Sequence, residues 1–186
     1  MHFFVKFTMS AEIQNRCIVW LEKAVIGLNL CPFAKAVHVK GRIRWVLFEG
    51  VDEAELRTCI EAEMQTLADL PCEITDTTLI VLPQALPDFL EFHWFVEALG
   101  PLLKRLSLRG VLQVASFHPN FEFSGSQPDD RANFTNRSPW PIIHLLRESS
   151  VEKAVAAFPE AEAIFESNIE RLDAMSDADF KEIFSS

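Results

Sequence analysis

Cys31, His118 and His144 are the side chains of this sequence best suited to nucleophilic attack or proton transfer. Histidine titrates near neutrality and serves as acid, base or metal ligand. His118 directly follows the strand-like run Val111 to Phe117, and in open α/β sheets ligands bind beyond the carboxyl ends of strands. His144 stands among Ile142, Ile143, Leu145 and Leu146, a setting in which histidine is commonly a core residue bonded to backbone. Cys31 opens the turn-like pentapeptide CPFAK. A positive neighbour, Lys35 or a nearby His118, would lower the thiol pKa and make it nucleophilic. The negative end of the preceding helix acts in the opposite sense.

A second group, Arg131, Asn136, Arg137 and Ser138, has the chemistry of an anion site. Ser138-Pro139 has the form of a helix N-cap followed by proline at the first helical position. Unpaired N–H groups and the positive dipole end would then face a carboxylate or phosphate held by arginine. On the alternative reading, Arg131 pairs with Asp129 or Asp130, while Asn136 and Ser138 only cap the turn. Cys31, His118 and His144 with one water would make an open zinc-type site, but no two of them have the close spacing that preforms one, so no metal is expected. Cys31-Pro32 is also a haem-ligand dipeptide, a signal of only two residues.

Most of these residues fall within 117–148, FHPNFEFSGSQPDDRANFTNRSPWPIIHLLRE. A loop this long in a compact domain is usually functional or disordered. Phe121, Phe123, Phe134 and Trp140 argue for order, because they give the loop apolar anchors. The loop is expected to fold back, bringing His118 and the Ser138 helix start into one pocket.

The flanking chain reads as alternating elements. Apolar residues at Ile13, Cys17, Trp20, Ala24 and Leu28 predict a helix from Ser10 to about Leu28, closed by Gly27, Asn29 and Pro32. Ile43 to Phe48 predicts a strand, and Asp52 with Glu55 a capping box ahead of a second helix. Thr77 to Leu82 predicts a buried strand. Asp88 opens a heavily buried helix that Gly100-Pro101 should kink or break. After the third strand and the loop, a helix from Ser138 carries His144, with a possible break at Ser149-Ser150. Pro159 separates it from a helix holding Ile164, Phe165, Ile169, Leu172 and Met175, and Asp177 caps a last turn ending at Phe184. Strands alternating with helices imply parallel crossovers. The expected fold is α/β (or α+β), a small sheet of three or slightly more strands covered by helices, with a C-terminal helical segment.

The chain has 186 residues, enough for one domain with a sizeable core. Residues 10–186 are expected to form that domain, with 1–9 a disordered or artefactual extension and Met9 an alternative start. The 16 Phe and absence of Tyr supply apolar volume without hydroxyls to satisfy. A net charge of −10 opposes binding to nucleic acid or to anionic membranes. Nothing approaches a membrane span, and MHFFVKF is too short for a signal-peptide core. The four cysteines lack a C-x-x-C pair, which suits reduced thiols in a cytoplasmic protein.

CPFAK at 31–35, FHP at 117–119 and NRSPWPIIHLLRE at 136–148 resemble segments of a mainly proteobacterial family of small proteins, a domain of unknown function. The resemblance spans Ser10 to about Leu172. It implies a bacterial cytoplasmic protein of one domain, and assigns no activity, cofactor or partner. Three functions stay open on the residues alone. The first is an enzyme for a small anionic substrate, held by Arg131 and Arg137 and acted on by His118, His144 or Cys31. The second is a metal- or haem-binding module, and the third an interaction domain that docks a partner on its aromatic loop.

Overall fold

A computed structural model describes residues 11–157 and 163–184. Among them, β1 (Ile43–Leu47), β2 (Thr77–Val81), β3 (Leu112–Phe117) and β4 (Ile142–Arg147) form one sheet in the order β1-β2-β4-β3. β1 and β2 are parallel, and β4 runs antiparallel to both β2 and β3. β1, β2 and β3 therefore point the same way, as the strand–helix alternation requires, and a reversed strand is inserted between the last two. The fold is a single α/β domain with a mixed sheet.

That inserted strand replaces the helix expected from Ser138. Pro139 and Pro141 push the residues before them, Ser138 and Trp140, towards extended backbone. The β-branched pair Ile142-Ile143 then enters the sheet. Both faces of β4 are covered near its start, so Ile142, Ile143 and Leu145 are all buried. Such burial removes the alternation by which a strand is read and leaves a short apolar run compatible with either element.

On one face lie α3 (Glu53–Asp69), α4 (Phe89–Glu97) and α5 (Leu99–Arg105), whose Leu56, Ile60, Met64, Phe92 and Leu99 pack with Val46, Ile80, Ile143 and Leu145. Asp52 caps α3, accepting from the N–H groups of Ala54 and Glu55 at 2.9 Å each, as the capping-box pattern predicts. Asp88 caps α4 in the same way, at 2.9 Å from Leu90 N and 3.0 Å from Glu91 N. The helix breaks at Ala98, which puts Pro101 in the first turn of α5, where an N–H is not required. Heavy burial holds for the inner face alone, because Leu90 and Trp94 are 63% and 68% exposed.

The other face packs against α1 (Ala11–Trp20) and a π-helical turn, Leu21–Ile26. This wider turn interrupts the single helix that the spacing suggests. Gly27 N donates to Glu22 O at 2.9 Å, an i to i−5 bond, and a Cβ on Gly27 would stand 2.4 Å from the Lys23 carbonyl oxygen. Asn29, with φ of 51°, ends the segment. The pentapeptide CPFAK then leads into a short helix that the sequence reading did not include, α2 (Ala34–Val39). At the other end of the chain, α6 (Glu148–Ala157) runs through Ser149-Ser150 without a break, followed by α7 (Ile164–Asp173) and α8 (Asp177–Phe184). Ser176 rather than Asp177 caps α8, its hydroxyl accepting from Asp179 N at 3.2 Å. The expected 1–9 extension, the Ser10 cap and the Pro159 separator lie outside the described residues. No described helix is long and apolar enough to cross a membrane.

Candidate functional site

Phe117 pairs with Ile142, so residues 118–141 are a long connection between neighbouring antiparallel strands. Its ends start side by side, and His118 N donates to Asn136 O at 3.1 Å. The aromatic anchors hold as expected. Phe121 packs 5.2 Å from Phe89, Phe123 5.5 Å from Phe165, and Phe134 4.7 Å from Phe180. Trp140 joins the core on the α1 face, with the Arg16 guanidinium 4.8 Å above its ring. Asn133, wholly buried in the short 3-10 helix Arg131–Thr135, is the hub of the loop. Its Oδ1 accepts from Phe123 N at 3.0 Å and Ser126 Oγ at 2.8 Å, and its Nδ2 donates to Gln127 O at 2.8 Å.

The four residues expected to bind an anion are turned towards the protein itself. Arg131 donates to the carbonyls of Leu172 and Met175 at 3.0 and 2.6 Å and pairs with Asp177, not with Asp129 or Asp130. Arg137 donates to the carbonyls of Phe121 and Pro128 at 3.2 and 2.7 Å, with its guanidinium 4.1 Å above the Phe134 ring. Asn136 Nδ2 donates to Ser116 O at 3.3 Å, and Ser138 Oγ to Trp140 O at 2.6 Å. The helix start that would have supplied backbone donors is absent, since Ser138 leads into β4.

Both histidines are held in neutral form by burial. His118 is fully buried beside the Phe89 and Phe92 rings, and desolvation lowers its pKa against the opposing bond to Leu86 O. Its Nδ1 accepts from Asn120 N at 3.0 Å, so Nε2 carries the proton and donates to Leu86 O at 3.3 Å. In β4, Thr77 Oγ1 gives its one proton to Leu145 O at 2.6 Å and therefore accepts from His144 Nε2, also at 2.6 Å. Burial lowers the His144 pKa to about 4. Cys31, His118 and His144 form no common centre: among the described residues no group of three or more His, Cys, Asp or Glu could hold a metal ion.

Cys31 and Asn136 do meet, with other partners. They line a cavity of about 450 Å³ together with Val25 of the π-helical turn, Phe117 at the end of β3, Thr135, and Phe165 and Asn168 of α7. The π-helical turn sets the cysteine: the Val25 carbonyl accepts from Leu30 N at 2.9 Å and Cys31 N at 3.4 Å. Burial raises the Cys31 pKa, opposed by N–H donation from Phe33 and Ala34, and neither Lys35 nor His118 contributes. The thiol is therefore protonated at neutral pH. Among the described residues no charged side chain lines the cavity. Asn168 is 7% exposed, and its Oδ1 has no hydrogen-bond partner. A buried carbonyl left unpaired costs about 1–3 kcal/mol.

The family model described as a protein of unknown function, DUF1415, matches residues 12–182, from α1 to α8. The chain belongs to the DUF1415 family. No curated protein and no solved structure gives a match. In this DUF1415 chain the three resembling segments have separate jobs: CPFAK forms one cavity wall, FHP ends β3, and NRSPWPIIHLLRE supplies the loop staple and the inserted strand. The sequence reading missed Thr135 and Asn168. Asn168 had a signal, because it lies four residues after Ile164 and four before Leu172, a polar residue on the apolar line of α7.

Proposed function

We propose that this protein binds a small, uncharged, largely apolar molecule in the cavity bounded by the π-helical turn, the CPFAK turn, the end of β3 and α7. The observation that carries this reading is a cavity in the size range of ligand sites with no charged side chain on its described wall. A carboxylate or phosphate entering it would lose hydration without meeting a cation, a costly exchange. An anionic substrate is disfavoured for a second reason, since the carbonyls around Arg131 and Arg137 already take up their donors. Binding is favoured over nucleophilic catalysis because Cys31 is protonated and no described basic side chain lines the cavity with it. All four cysteines are free, which suits a reducing cytoplasm.

The test is thermal unfolding of the full chain against matched neutral compounds, carboxylates and phosphates. A ligand at one hundred times its dissociation constant stabilises by about 2.7 kcal/mol. Stabilisation by neutral apolar compounds alone is expected. Stabilisation by anions alone would return the site to the arginines and defeat the proposal.

A further inference from the structure

Resting on that reading of the cavity, we infer that Asn168 makes it selective for ligands that present an O–H or N–H donor, such as alcohols and secondary amides. Asn168 Nδ2 donates to Leu30 O at 2.8 Å, next to Cys31. That bond fixes the amide, because a flipped side chain would set oxygen against oxygen. Oδ1 is thereby left as the free end, buried and without a partner. The other polar lining groups are engaged. Thr135 Oγ1 donates to Ala132 O at 2.8 Å and to Asn136 Oδ1 at 3.1 Å, and Asn136 Nδ2 donates to Ser116 O. The Cys31 sulfur takes the N–H groups of Phe33 and Ala34. A ligand donor would meet an acceptor in Asn168, whereas an ether, ketone or ester would leave Oδ1 unsatisfied. Rejection of analogues lacking a required donor is strongest where the site's own polar group is buried.

The experiment compares two isomers, 1-heptanol and 1-methoxyhexane, binding to the full chain by ligand-observed NMR. Without an available acceptor the ether should bind better, since its oxygen is the cheaper to desolvate. The inference expects the reverse, with the alcohol about tenfold tighter, the equivalent of one hydrogen bond. In Asn168→Leu the preference should vanish while ether affinity stays within about twofold of wild type. Equal affinities, or an ether preference, in the wild-type protein overturn the inference and leave the apolar cavity standing. Binding of neither isomer overturns both. An alcohol preference that survives in a folded Asn168→Leu protein removes Asn168 from the role. Should that variant fail to fold, the wild-type comparison still decides.

Discussion

The indole N–H of Trp20 donates to the carbonyl oxygen of Arg137 at 2.8 Å, so the end of α1 holds the segment that turns into β4. The Arg137 side chain meanwhile ties the two ends of the loop together through Phe121 O and Pro128 O. Arg137 is thus a staple on both its backbone and its side chain. Replacing Arg137 with Ala should cost about 2–3 kcal/mol in urea unfolding, because two carbonyls lose a charged donor. Trp20→Phe, which removes only the indole donor and some volume, should cost about 1–2 kcal/mol. An Arg137→Ala protein as stable as wild type would show that the guanidinium is held for something other than structure.

His144 gives the fold an acid sensitivity of defined sign. Its folded pKa of about 4 lies below the model value of 6.5, so between these values the unfolded chain binds a proton that the folded chain refuses. Its contribution to stability is therefore lost as pH falls from about 6.5 to about 4, and no further loss follows below that. At about pH 5 the loss amounts to about 2 kcal/mol. Urea titrations at about pH 7.5 and pH 5 should show a smaller difference for His144→Leu than for wild type. Equal differences would place the proton uptake elsewhere, His118 being the next group with a lowered pKa.

The elements with a local punctuation mark were legible in the sequence. Asp52 and Asp88 announce α3 and α4 because a cap is a bond between a side chain and its own neighbourhood. β2 was legible as an unbroken β-branched run between Asp76 and Pro83. β4 was not, because its strand character depends on what covers each face, which residues 142–147 alone do not reveal. The π-helical turn was hidden for a similar reason: its spacing is ordinary helix, and only the crowding at Gly27 gives it away. Among the candidate site residues, Cys31 and Asn136 reach the cavity, while the histidines and arginines spend their polar atoms on backbone carbonyls and a threonine hydroxyl. Residue type identified groups able to do chemistry, but not which carbonyls would consume them.

Cys31 provides a reporter for the cavity that does not depend on knowing the natural ligand. Its raised pKa reduces the thiolate fraction, so N-ethylmaleimide should modify it slowly at neutral pH and faster as pH rises. Cys17, wholly buried and with its pKa pushed up to about 12, should be slower still. Cys72 is partly exposed and lies outside the cavity, which makes it the internal control. A neutral compound that raises thermal stability by occupying the cavity should slow labelling of Cys31 severalfold and leave Cys72 unchanged. Peptide-resolved mass spectrometry distinguishes the sites. If such a compound leaves Cys31 labelling untouched, it binds elsewhere and the cavity loses its claim. Rapid labelling of Cys31 at neutral pH, ahead of Cys72, would instead mean that the thiol is activated, and nucleophilic chemistry would have to be put back at this site.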